Sequence, residues 1–280
     1  MNIMVTGATG RIGSRLIARL LERGHYIHLL VRQPEKAVHL KGQGVELIAG
    51  DLLIPDSYEA KLANIDAIIH LAAFFRGATP EETQAVNLEG TKSLASLALK
   101  AGVKRFVMAS TNLVYGPGRE VPFDEQDTLN PQAPYPATKA AAEAELMELH
   151  SNQGLGLRIL RFAFVYGEND PHLKEGLAWF RNWNPQQQIH IVHHADVAQA
   201  IILAVETDGI DGQIYNVADD APVAAIEIME LFDEKFADDA MTRAIAPAWL
   251  QIVNTKKIQT QLGFAPHFPS LQHAVKEGVL

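Results

Sequence analysis

Two side chains four residues apart, Tyr135 and Lys139, could share the work of moving a proton. On a helix that spacing puts both on one face. A phenol is a poor base near neutrality because its ordinary pKa is about 10. An ammonium beside it favours the phenolate and brings that value down. Thr111 adds a hydroxyl that can hydrogen-bond a substrate oxygen. Together the three could pass a proton to or from a carbonyl or an alcohol. Tyr-x3-Lys alone is common, and a surface helix pair reads the same way. Its position gives it weight, because it lies one strand–helix unit after an apolar run that ends Ala109-Ser110-Thr111.

A proton shuttle of this kind needs a hydride carrier, and the chain opens with a place for one. Thr6-Gly7-Ala8-Thr9-Gly10-Arg11-Ile12-Gly13 follows a short apolar run at 3–6. It leads into 12–23, where Ile12, Leu16 and Leu20 fall on one side and Arg11, Arg15 and Arg19 on another. Between a strand and a helix, Gly7 permits a sharp turn. Gly10 lets backbone approach a pyrophosphate, and Gly13 lets the helix pack close to the sheet. The helix start offers N–H groups and the positive end of its dipole to phosphates. The expected dinucleotide contacts are Gly7, Thr9, Gly10, Arg11, Ile12 and Gly13, with Tyr135 and Lys139 at the nicotinamide end and Lys139 on its ribose. The nicotinamide would then carry the hydride.

The second strand, 26–31, ends Val31-Arg32 and brings no carboxylate to a free ribose 2′-hydroxyl. Arg32 can pair with a 2′-phosphate, with Lys36 assisting, so NADP is the expected cofactor. Stacking of Arg32 on adenine is the alternative, and would admit NAD as well. Asp51, beside Leu52, could accept from the adenine amine. Leu71, Ala72 and Ala73 lie where the cofactor backbone would run.

These residues need a scaffold, and the periodicity supplies one. Strand-like runs at 3–6, 26–31, 45–48, 66–70 and 105–109 alternate with helical stretches, one of them closed by Gly102. A helix at about 135–150, a strand at 157–162, a helix at 195–205, a strand at 213–217 and a helix at 224–236 follow. The alternation predicts an α/β fold, a doubly wound parallel Rossmann sheet with a small C-terminal substrate-binding lobe. Residues 1–165 form the predicted NAD(P)-binding domain. Residues 166–280 form mostly the lobe, with about 189–217 returning to the sheet. Residues 168–188 hold Pro171, Pro185, Trp179 and Trp183 and show little period, and 246–280 reads as short helices and loops.

The chain has 280 residues, 48% hydrophobic and 20% charged, enough to bury a core without staples. It has no cysteine, which excludes disulfides, thiolate metal sites and cysteine nucleophiles. Net charge is −9 and the basic residues are scattered, which argues against a nucleic-acid partner. No apolar run approaches the roughly 20 residues that span a bilayer. The start runs into a strand rather than a signal peptide, so the cytoplasm is the expected location. His190, His193 and His194 lack accompanying acids and helical His-x3-His spacing, so no metal is expected.

In order along the chain stand the glycine turn, Asp51-Leu52, His70-Leu71-Ala72-Ala73, Val86-Asn87-Leu88-Glu89-Gly90-Thr91 and Ser110-Thr111 leading to Val114-Tyr115-Gly116. Tyr135 to Lys139, Leu160-Arg161 leading to Val165-Tyr166-Gly167, His193 leading to Asp196-Val197, and Tyr215-Asn216-Val217 follow. Over about residues 2–235 the sequence resembles the extended short-chain dehydrogenase/reductase family, also called the NAD-dependent epimerase/dehydratase family. The resemblance implies a Tyr–Lys–Thr active site of Tyr135, Lys139 and Thr111, with Asn87 in support. It also implies Phe162 and Ala163 beside the nicotinamide, and a homodimer through helices at about 83–100 and 135–150. Sugar-nucleotide dehydratases of this family follow the catalytic threonine with Asp-Glu. Here Asn112 and Leu113 stand there and cannot eliminate water, which argues against a 4,6-dehydratase. The segment 168–192 is short and lacks the Gly-Asp-Gly pattern of the sugar-nucleotide enzymes. Trp179, Phe180 and Trp183 either line a smaller apolar pocket or pack the core of the second lobe.

The expected function is an NADP-preferring oxidoreductase acting on a carbonyl or secondary alcohol of a small or sugar-derived substrate. The alternatives are a nucleotide-sugar epimerase with tightly bound cofactor and, from another class, a non-enzymatic NAD(P)-sensing regulator.

Overall fold

A computed structural model describes every residue except Arg76, Ala248 and Trp249. The chain opens β1 (Asn2–Thr6), α1 (Arg11–Glu22), β2 (Tyr26–Val31), β3 (Val45–Ala49), β4 (Ala67–His70) and α2 (Pro80–Gln84). A π-helical turn, Ala85–Gly90, joins α2 to α3 (Thr91–Ala101). Then come β5 (Arg105–Thr111), α4 (Pro134–Gln153), β6 (Leu157–Phe162), β7 (Phe164–Tyr166), α5 (His172–Phe180), β8 (Gln188–Ile189) and β9 (Ile191–His193). The remainder is α6 (His194–Glu206), β10 (Gln213–Val217), β11 (Val223–Ala224), α7 (Ala225–Leu231), α8 (Lys256–Leu262) and α9 (Leu271–Glu277).

Seven strands make one sheet in the order β10-β6-β5-β4-β1-β2-β3. β1 pairs in parallel with both β2 and β4, β2 with β3, and β4 with β5. This is the doubly wound sheet that the alternation predicts. Its order reverses at β1, and in open α/β sheets ligands bind outside the carboxyl ends of the strands at that point. The central strands β1, β4 and β5 are buried along most of their length, as strands with helices on both faces are. Gly13, Leu16, Ile17 and Leu20 are the buried stripe of α1. One continuous cluster joins Met4, Ile68, Phe106 and Met108 of the strands to Leu94, Ala95 and Ala98 of α3 and Ala142 and Leu146 of α4.

The chain forms two compact units. The first comprises Met1–Thr111, Ala133–Leu160 and Ala200–Ile214, and the second Asn112–Gln132, Arg161–Gln199 and Tyr215–Leu280. These limits differ from a break at 165 with a return over 189–217. Residues 112–132 go with the second unit because their hydrogen bonds do: Asn112 Nδ2 donates to Gln251 O at 2.8 Å and Phe123 N–H to Ile252 O at 2.8 Å.

The second unit has its own core of Tyr166, Leu173, Leu177, Phe180, Trp183, Ile191, Ile228 and Met229. Phe180 and Trp183 meet edge-on with centroids 4.9 Å apart. These two side chains therefore pack the core, and the segment around them forms α5. The helix expected over 224–236 stops at Leu231, because Asp233 takes a left-handed φ of 55° that a helix cannot continue through. The end of the chain carries short helices α8 and α9, and Ala248 and Trp249 of that stretch lie outside the described residues.

Candidate active site

The first unit builds the glycine turn from backbone crowding. Gly7 has φ 73°, and a Cβ there would fall 2.7 Å from Ala72 N, inside contact distance. A Cβ on Gly13 would meet Gly7 O at 2.3 Å, so the helix start and the turn fit only without side chains. Gly10 is different: a Cβ would meet only Gly7 O, at 3.1 Å, and Thr9, Gly10 and Arg11 are exposed. Ser14 N–H donates to Gly10 O at 3.0 Å, and the N–H groups of a helix's first turn have no partner within the helix. An open glycine over a helix start, with closed glycines on either side, is a cradle of the shape a pyrophosphate needs.

Arg32 follows β2 and is exposed, its guanidinium 5.6 Å from the ring centre of Phe74. Asp51 Oδ1 accepts from Leu53 N–H at 2.9 Å. Leu52, 8% exposed, packs into the core with Leu94 rather than out toward a ligand. Leu71, Ala72 and Ala73 are half-buried where β4 ends.

From that turn a directed hydrogen-bond chain crosses to α4. Ala72 N–H donates to Thr6 Oγ1 at 3.2 Å, and Thr6 Oγ1 lies 2.7 Å from His70 Nδ1. His70 Nε2 lies 2.8 Å from Thr91 Oγ1, which donates to Asn87 O at 2.8 Å. Because Thr91 spends its proton on Asn87, His70 must carry its own on Nε2 and accept at Nδ1. Burial pushes His70 down to about 3, helped by the Lys139 ammonium, so the ring is neutral. The side chain of Asn87 completes the connection. Its Oδ1 accepts from Phe74 N–H at 2.8 Å, while Nδ2 donates to Phe74 O at 2.9 Å and to Thr138 Oγ1 at 3.2 Å. Thr138 in turn donates to Tyr135 O at 2.8 Å. Asn87 sits in the π-helical turn, a geometry frequent at functional sites.

α4 starts with Pro134 in its first turn, where a missing N–H costs nothing. Tyr135 follows it and is half-buried. Lys139, one turn on, is only 2% exposed. Burial pushes Lys139 down to about 8, and Glu143 a further turn along partly offsets this. Glu143 also accepts from Ser110 Oγ, tying β5 to α4. Thr111, buried at 7%, ends β5 in the same unit. One expectation is corrected. Burial pushes the Tyr135 phenol above its ordinary value, rather than an ammonium lowering it. Both groups lie where charge is poorly solvated, and desolvation is the largest cause of each shift. The phenol is thus a proton donor at neutral pH.

The model of the NAD dependent epimerase/dehydratase family matches residues 3–218. The chain belongs to that family. Membership places it among NAD-dependent oxidoreductases and epimerases. It is 31% identical over 245 residues to a 4-hydroxy-2-methyl-3-oxo-4-farnesyl-3,4-dihydroquinoline-1-oxide ketoreductase of Stigmatella aurantiaca, covering 84% of this chain and 73% of that protein. To a dTDP-glucose 4,6-dehydratase of Streptomyces antibioticus it is 29% identical, covering 78% of this chain and 72% of the relative. A short-chain dehydrogenase/reductase superfamily protein of Agrobacterium tumefaciens, solved with NAD bound, shares the fold with a TM-score of 0.82. It is 23% identical and covers 99% of this chain and 95% of its own.

Several family motifs turn out to be braces of the second unit. Arg161 Nη1 donates to Tyr115 OH at 2.9 Å, and Tyr115 OH to Asn216 Oδ1 at 2.7 Å, all three buried. Phe162 and Ala163 are buried in that unit, and Ala163 N–H donates to Val217 O at 3.0 Å. Each histidine of the trio has a protein partner: His190 Nε2 meets Asp219 O at 3.0 Å, His193 Nε2 meets Val279 O at 2.9 Å, and His194 Nε2 meets Asp170 Oδ2 at 2.7 Å. The sequence motifs give no role to His70 or Thr91 and do not single out Thr138, Glu143 or Phe75. His70 before two alanines carried a signal, since a histidine ending an apolar strand needs partners for both nitrogens.

Proposed function

We propose that the protein is an NADP-preferring oxidoreductase that moves hydride between the nicotinamide and a carbonyl or secondary alcohol of a small or sugar-derived substrate. The observation that carries this reading is the pair on α4: a phenol kept protonated by burial, one turn from the buried ammonium of Lys139. In the reducing direction, Tyr135 gives its proton to the carbonyl oxygen and Thr111 hydrogen-bonds the same oxygen. Lys139 holds the ribose hydroxyls and stabilises the phenolate that results. The bound cofactor supplies the hydride to the carbonyl carbon. Gly7, Thr9, Gly10, Arg11, Ile12 and Gly13 hold the pyrophosphate, Asp51 the adenine, and Arg32 the 2′-phosphate. A 4,6-dehydratase is disfavoured, because the amide of Asn112 is committed to Gln251 O and Leu113 carries no acid.

The discriminating experiment is stoichiometry. A reductase consumes one NADPH for each carbonyl reduced, whereas an epimerase returns its hydride and shows no net consumption.

A further inference from the structure

The loop after β4 begins Leu71-Ala72-Ala73-Phe74-Phe75, five apolar residues at the carboxyl end of the central strands. Its start at Phe74 and the start of α2 are each held by side chains. Asn87 clamps the N–H and the carbonyl of Phe74. At the far end, Thr79 and Glu82 form a reciprocal cap on α2. Phe75 leaves this clamp still 44% exposed, and its ring lies edge-on to Tyr135 with centroids 4.8 Å apart at 71°. A single exposed apolar side chain is ordinary. This one is set against the proton donor of the reaction, on backbone that Asn87 ties to the same helix through Thr138.

We propose that Phe75 is the apolar wall of the substrate site beside Tyr135, and that the substrate is a ketone bearing an aromatic or other flat apolar group next to its carbonyl. The inference rests on the reading of Tyr135 as proton donor. A carbonyl oxygen hydrogen-bonded to the phenol brings its carbon substituents within about a ring's length of Phe75. Aromatic rings gain from edge-to-face or offset contact with such a ring, beyond the area they bury. A polyhydroxylated substituent would lose water there, and no carboxylate or amide among 71–75 replaces it. Phe74 and Phe75 then divide the site's two ends, Phe74 under Arg32 and Phe75 against Tyr135.

The test compares acetophenone with dihydroxyacetone as substrates for the NADPH-loaded protein, in the natural chain, Phe75→Ala and Phe75→Leu. The natural chain favours acetophenone in kcat/KM. Phe75→Ala lowers that preference at least about tenfold, mainly through KM, as loss of an aromatic contact and its buried area implies. Phe75→Leu keeps most of the preference. A preference unchanged within about twofold in Phe75→Ala, or a natural chain that favours dihydroxyacetone, overturns the proposal. Calorimetric binding of 1-phenylethanol to the NADP-loaded protein reads the wall without turnover. Binding that Phe75→Ala abolishes, with neither ketone reduced, upholds the wall and removes the reductase reading. Absence of binding to the natural chain removes the wall.

Discussion

Lys139 and Arg32 carry the charge decisions of the site. Lys139 is an ammonium with its pKa pushed down to about 8 by burial. Below that pH it is protonated and can hold ribose oxygens and a phenolate. Above it the charge is lost, so kcat/KM should fall with a kinetic pKa near 8. Lys139→Arg should abolish that descending limb, because a guanidinium keeps its proton throughout the range. A profile of the natural chain that stays flat to pH 10 or beyond would contradict a role for the ammonium. In the proposed function, Arg32 selects between the two dinucleotides. Equilibrium titration should show NADPH binding more tightly than NADH, with Arg32→Ala weakening NADPH about tenfold or more and barely affecting NADH. Equal losses for both would mean that Arg32 meets the adenine instead.

At the scale of elements, the site depends on how β1, β4, the π-helical turn and α4 are tied together. His70 is the centre of that tie, with both ring nitrogens engaged and its pKa pushed down to about 3. An unfolded chain binds the proton at about 6.5, so between the two values the unfolded state holds more protons. This contribution to stability is complete above pH 6.5 and is lost as pH falls toward 3. At pH 4 the loss amounts to about 3 kcal/mol. Denaturant unfolding between pH 4 and 7 should show a shallower acid dependence for His70→Gln than for the natural chain. Parallel curves would show that protonation elsewhere dominates.

The same elements show how much the sequence could reveal. Runs such as Tyr26–Val31 and Leu157–Phe162 are mostly apolar and each starts within two residues of a glycine, and they form strands with those limits. The glycine turn could be read at sight because backbone crowding leaves no other residue possible at Gly7 and Gly13. The π-helical turn could not, since Val86-Asn87-Leu88 fits an α-helix as well, and one extra residue per turn arises from tertiary packing. α5 was hidden by Pro171 and the polar residues around it, although Pro171 is only its cap. Phe75 was invisible as a site residue because its contact with Tyr135 joins segments sixty residues apart.

For the whole molecule, one unit of the chain carries the glycine turn after β1, Thr111 at the end of β5, and Tyr135 and Lys139 on α4. Among the described residues no helix is long and apolar enough to cross a membrane. The second unit has a separate core and its own braces of Tyr115, Arg161 and Asn216. The central claim is that Tyr135 supplies the proton while the cofactor supplies hydride. The most direct measurement is single-turnover oxidation of bound NADPH by a ketone substrate, comparing the natural chain with Tyr135→Phe. The account predicts that Tyr135→Phe binds NADPH with unchanged affinity but oxidises it about 100-fold or more slowly, the usual contribution of a positioned proton donor. Oxidation at the natural rate in Tyr135→Phe would contradict it.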